Sequence, residues 1–177
     1  VIVLSLDIAL RTGWCVDGPT TCPPRAGVYA VPGSADALGR ACFEFSAWLC
    51  QMISTWKPGI VSFEAPLMGG HGVVMNAATA RLLISLCGHV ESCCHGYSVR
   101  CLEEHVQTVR KTFLSHGRPD NPKKAVLERC KLLGWDIPDH NAADATALWV
   151  HTKSYLDKSF RVEAATPMFS RPGQGAA

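Results

Sequence analysis

The chain has 177 residues, 47% hydrophobic and 18% charged, with a formal net charge of +2. That amounts to one domain with enough apolar side chains for a sizeable core, and it excludes a disordered or fibrous protein. No apolar run is long enough to span a bilayer, and the Val1–Leu6 run lacks the basic leader of a secretory signal, so a cytoplasmic protein with no membrane partner is expected.

Val1 to Leu6 reads as a strand buried on both faces, and Asp7 interrupts it with a carboxylate. A buried charge is costly unless it is paired, hydrogen-bonded or bound to a metal; the alternative is that Asp7 caps a turn around Arg11-Thr12-Gly13. Residues 1–32 read as a β-meander, with turns at Asp17-Gly18-Pro19 and Pro23-Pro24 and a second strand over Ala26–Val31. Ser34 is placed to cap a helix running to Trp56, with Leu38, Ala41, Phe45, Trp48, Met52 and Trp56 along one face. Ile60–Glu64 is a second buried strand that ends in a carboxylate, and the Gly-rich stretch over 65–72 is a loop able to move over a site.

A helix is expected from Val74 to Cys94, with an apolar stripe of Ala80, Leu83, Cys87, Val90 and Cys94. It is apolar beyond one face, so it is a candidate for contact with a partner subunit. Tyr97–Leu102 reads as a strand and Glu104–Leu114 as a short helix. Asn121-Pro122 starts a helix that runs through Leu133 and stops at Gly134, and a last helix runs from Asp139–Asn141 to Leu156. Residues 1–160 are therefore assigned to one domain and 161–177 to a flexible tail. The element order implies an α/β fold, a mixed central sheet flanked by helices, with ligands expected at the strand C-termini.

The nine cysteines include no Cys-x-x-Cys pair, which argues for free thiols in a reducing compartment. Within Cys87, His89, Cys93, Cys94 and His95, His89 and Cys93 have helical ligand spacing, but buried small side chains with a helix-end His explain the cluster better. Between Arg110 and Lys131 seven basic residues face two acidic ones, a patch able to bind phosphate or simply a solvated helix face.

In Asp139-His-Asn-Ala-Ala-Asp144, Asn141 and Asp144 lie one helical turn apart and point the same way. Asp139 is better explained as answering the helix dipole. Oxygen donors from Asp7, Glu64 and Asp144 would suit Mg²⁺ or Mn²⁺. Two such ions about 4 Å apart could activate a water and stabilise the leaving oxygen of a phosphodiester.

Leu6-Asp7-Ile-Ala-Leu-Arg-Thr-Gly-Trp14, Ser62-Phe-Glu64 and Asn141-Ala-Ala-Asp144-Ala-Thr-Ala-Leu resemble, in that order, the RuvC-type Holliday junction resolvases of bacteria and phages. The resemblance spans about Val1 to Lys153 and implies a ribonuclease H-like fold. It also implies a Mg²⁺-dependent endonuclease, with Mn²⁺ substituting and two ions per site, cutting four-way DNA junctions as a homodimer in a bacterial or phage-infected cell. Asp7, Glu64 and Asp144 then match family metal ligands, and Asn141 stands where many members carry Asp or His, with Asp139 as an alternative donor. Val109-Arg-Lys-Thr matches a DNA-touching segment, so Arg110 and Lys111 are assigned to DNA together with Lys123, Lys124 and Arg11. Leu67 and Met68 occupy the place of a junction-wedging side chain. The helix after Glu64 would form the dimer interface, with Leu82, Leu83, Leu86 and Val90 in or near it. Competing readings are a nuclease for flaps or forks, an actin-like ATPase or kinase suggested by Asp-x-x-x-x-Thr-Gly, and a non-catalytic DNA-binding module.

Overall fold

The computed structural model describes residues 1–18, 24–33, 37–66, 76–114 and 121–162. Five strands form one sheet in the order β3-β2-β1-β4-β5: β1 Val3–Asp7, β2 Arg11–Val16, β3 Arg25–Ala30, β4 Ile60–Glu64 and β5 Arg100–Glu104. The first three are antiparallel neighbours, whereas β1, β4 and β5 run parallel. The helices are α1 Leu38–Trp56, α2 Ala77–Gly96, α3 Val106–Leu114, α4 Pro122–Leu132 and α5 His140–Leu156. The mixed sheet flanked by helices is as expected.

Strand alternation divides the core in two. Leu4, Leu6, Val16, Val61 and Phe63 pack with α1 and α2 on one face. Val3 and Cys15 belong to the other core, built around α5 with α3 and α4. α5 is covered on nearly every side: all residues from Ala142 to Val150 are buried, so a run of alanines serves where both the sheet and other helices approach closely.

Three helix starts are capped by side-chain oxygens. Asn76 Oδ1 accepts from Ala78 N at 2.8 Å, Asn121 Oδ1 from Lys124 N at 3.1 Å, and Asp139 Oδ1 from Asn141 N at 2.9 Å. α1 begins at Leu38 after Ala37, which makes no side-chain cap bond, and Ser34 lies outside the described residues.

Several boundaries differ from expectation. The first 16 residues form two strands, because the chain reverses after Asp7 and returns as β2. The reversal is held by Thr12 Oγ1 donating to Ala9 O at 2.6 Å. α2 starts at Ala77 and runs on to Gly96, with Tyr97 as its C-cap. β5 therefore starts at Arg100 and takes in Glu104, which was expected in a helix.

Leu82, Leu86 and Val90 are at most 1% exposed in the chain's own core, so they are not a free dimer surface, and Ile84 is the large apolar residue that α2 leaves exposed. α1 and α2 run side by side with a constant offset of 43 residues: Ser46 Oγ to His89 Nδ1 at 2.8 Å, Cys50 Sγ to Cys93 Sγ at 3.7 Å, and Ser54 Oγ to Tyr97 O–H at 3.2 Å. His89 and Cys93 thus join the two helices. No disulfide forms among the described cysteines. Among the described residues no helix is long and apolar enough to cross a membrane.

Candidate active site

Asp7 ends β1 and Glu64 ends β4. Leu6 and Phe63 are strand partners, so the two carboxylates leave the sheet side by side at its C-terminal edge. Since Leu6 and Phe63 face α1 and α2, alternation turns Asp7 and Glu64 toward α5. Asp144, 5% exposed, comes from α5 on that side.

Gly13 lets the helix come so close. It is the strand partner of Asp7 on β2, and a Cβ there would lie 2.0 Å from Asn141 O and 2.9 Å from Ala142 N. Any side chain at this position would lift the first turn of α5 off the sheet beside Asp7. In the sequence the signal is a glycine inside a strand pattern, which marks a close backbone approach; reading Arg11-Thr12-Gly13 as a turn misses it.

Burial raises all three carboxyls, and like charge adds to it at Asp7 and Glu64. Asp7 is pushed up to about 7, first by burial and then by the charge of Asp144. Glu64 is pushed up to about 8 by burial, then by Asp7 and Asp144. Burial raises Asp144 as well, against the charges of Arg110, Lys123 and His140. Arg110 and Lys123 also lower Asp7 and Glu64, so the middle of α3 and the start of α4 direct positive charge at this edge. Among the described residues, no ion pair neutralises any of the three acids.

Buried oxygen donors of one sign, with only partial compensation from cations nearby, are the donor chemistry of a hard divalent ion, whose charge would lower all three pKa values. As the side chains stand, no group of three or more His, Cys, Asp or Glu among the described residues is gathered closely enough to hold an ion. The chemistry of the donor set fits the ion, while the side chains are not drawn into a cage.

The remaining predicted residues fall into distinct positions. Asn141 lies half-buried in the first turn of α5, one turn before Asp144. Asp139 is the N-cap: Oδ1 accepts from Asn141 N and from Ala142 N at 3.1 Å, and Oδ2 pairs with Arg11 at 3.2 Å. Burial acts to raise its carboxyl, but the Ala142 amide, Arg11 and the Asn141 amide outweigh it and hold the carboxyl below the usual range. Both oxygens of Asp139 are thus engaged outside the acidic group. Arg11 remains 65% exposed. Lys111 and Lys124 are exposed, and Lys124 pairs with Glu128 at 3.8 Å. Leu67 and Met68 lie outside the described residues. Sequence reasoning misses His140, although it lies four residues before Asp144 on α5, a spacing that sets its charge against that carboxylate.

No protein-family model matches the chain, and no curated protein sequence does. Solved structures do resemble it. The RuvC of Thermus thermophilus in complex with a Holliday junction substrate superposes with a TM-score of 0.70 at 16% identity, over 88% of this chain and 94% of that one. Another Thermus thermophilus RuvC structure gives 0.66 at 18% identity, over 88% and 96%. The yeast mitochondrial Holliday junction resolvase Ydc2 gives 0.59 at 9% identity, over 89% and 80%. The chain thus has the fold of the RuvC-type Holliday junction resolvases.

Proposed function

We propose that the chain is a divalent-metal-dependent endonuclease that resolves four-way DNA junctions by phosphodiester hydrolysis. The observation that carries this reading is the convergence of Asp7, Glu64 and Asp144 from β1, β4 and α5 on one sheet edge, with Arg110 and Lys123 directing positive charge at it. A structure of the same fold, the Thermus RuvC, was determined with a Holliday junction substrate.

Asp7, Glu64 and Asp144 are assigned as holders of Mg²⁺ or Mn²⁺, two ions per site, with the amide oxygen of Asn141 as a neutral further donor. When bound, the ions supply an activated water and charge stabilisation at the leaving oxygen. The side chains of this chain do the rest. Burial keeps the carboxylates poorly solvated, which favours ionic contacts over hydration. Arg110 and Lys123 attract the phosphate backbone to the acidic edge, against the repulsion that the carboxylates alone would exert. Arg11, Lys111 and Lys124 extend the contact along the DNA, and Leu67 or Met68 is assigned the wedge into the junction.

Two symmetric cuts are most simply made by two sites related by a two-fold axis, so the active form is assigned as a homodimer of the 1–160 domain. Phe43 of α1, 70% exposed, and Ile84 of α2, 47% exposed, are assigned to its interface.

The test is cleavage of synthetic four-way, forked and linear DNA with Mg²⁺ or EDTA. Paired incisions in the four-way junction, dependent on the metal, are expected. Equal cutting of linear duplex, or cutting in EDTA, would overturn the proposal, and preferential cutting of forks would transfer it to replication-fork substrates.

A further inference from the structure

Beneath the carboxylates lies a second polar layer on the same three elements. Ser5 stands two residues before Asp7 and Ser62 two before Glu64, so each serine shares a strand face with its carboxylate. Thr152 lies eight residues after Asp144, on the same helical stripe. Ser5 and Ser62 are strand partners, and their Oγ atoms are 2.7 Å apart. Thr152 Oγ1 is 2.9 Å from Ser62 Oγ and 2.9 Å from Leu148 O. All three side chains are at most 1% exposed. From Ser5 through Ser62 and Thr152 to the Leu148 carbonyl, one proton per hydroxyl satisfies every link.

Apolar residues would fill this space at less desolvation cost, since a buried hydrogen bond adds little net stability over a well-packed apolar group. A satisfied buried polar chain contributes directionality instead. Sliding β1 by one residue along β4, or shifting α5 along its axis, would leave at least one hydroxyl without a partner. The same slide would separate Asp7 from Glu64, and the same shift would move Asp144.

From this juxtaposition we infer that Ser5, Ser62 and Thr152 are positioning residues for the acidic site: they set the register of β1, β4 and α5 and thereby the spacing of the three carboxylates. The inference rests on the metal-nuclease reading proposed above.

The test compares the wild type with Ser5→Ala/Ser62→Ala/Thr152→Val, which removes every hydroxyl of the chain and leaves none orphaned. Thermal melting, junction affinity, Mn²⁺ affinity by calorimetry and single-turnover cleavage are measured. The expected result is near-wild-type melting and junction affinity, with Mn²⁺ bound at least about tenfold more weakly and cleavage slowed at least about tenfold, because misplacement on the ångström scale is enough to lose such factors. Thr152→Ser on its own, which keeps the hydroxyl, should leave both at wild-type values. A folded triple variant that binds Mn²⁺ and cuts like the wild type overturns the inference while the nuclease reading stands. If the wild type itself neither binds Mn²⁺ nor cuts junctions, the nuclease reading falls and takes the inference with it. Should the triple variant not fold, Thr152→Val is compared with Thr152→Ser, and equal affinities and rates for those two overturn the inference in the same way.

Discussion

Raised carboxyl pKa values tie the stability of this protein to the pH. Asp7 is held at about 7 instead of its ordinary 3.8, so the folded chain keeps a proton that the unfolded chain releases. Its contribution to stability is therefore complete below about pH 4, declines as the pH rises to about 7, and is flat beyond. About three pKa units at roughly 1.4 kcal/mol each place the loss at about 4 kcal/mol near pH 8. Asp7→Asn removes the charge at almost constant volume, but the buried amide brings a desolvation cost of its own. A net gain of about 2 kcal/mol is expected near pH 8 in EDTA, equivalent to a rise in Tm of roughly 4–8 °C for a domain of this size. Near pH 4 the gain should vanish. On the proposed function, Mn²⁺ should then stabilise the wild type more than the variant, which lacks one of the proposed carboxylate donors. The same variant should fail to cut junctions while still binding them, since affinity comes mainly from phosphate contacts. Melting curves across this pH range, with EDTA and with Mn²⁺, make the measurement. An Asn variant that melts at or below the wild type near pH 8 in EDTA would refute the reasoning.

Gly13→Ala should force the first turn of α5 away from β2, since the new Cβ would meet Asn141 O at 2.0 Å. Overpacking of this kind costs about 3 kcal/mol, so a fall in Tm of roughly 6–12 °C is expected by calorimetry, and an unchanged Tm would show that the helix does not rest there. Replacing Arg110, Lys111 and Lys123 with Ala should weaken junction binding and reduce the log–log salt slope by about 0.9 for each phosphate of B-form DNA that is no longer neutralised; an unchanged slope in a filter-binding titration would return the patch to a solvated surface. Ile84→Glu should give a folded monomer with reduced junction cutting by sedimentation and gel assay, whereas Leu86→Glu, at a fully buried position, should unfold the chain. A wild type that sediments as a monomer and still makes paired cuts would remove the dimer from the proposal.

The apolar strands, most of the helices and the three acids that the fold brings to one sheet edge can be picked out from the chain alone. Val3–Asp7 and Ile60–Glu64 are legible because a run of β-branched and apolar residues has few places other than the middle of a sheet, and a carboxylate at its end needs a reason. Asn121-Pro122 announced its helix through local chemistry, a side-chain oxygen placed to accept an amide within the next few residues, whereas Asp139 was read as answering a helix dipole and proves to cap the helix as well. Tertiary structure decided what depends on distant neighbours. Glu104 belongs to a strand because β4 offers it a partner, and Leu82, Leu86 and Val90 face the core because α2 lies on the sheet. Gly13 is required by a helix more than 120 residues further along the chain. The hydroxyls of Ser5, Ser62 and Thr152 look like three unrelated small polar residues until the fold stacks them below the acids. Local propensity and periodicity act over a few residues and can be read from the chain. Close approach, charge coupling and hydrogen bonds across the core arise only where the folded chain brings remote segments within a few ångströms.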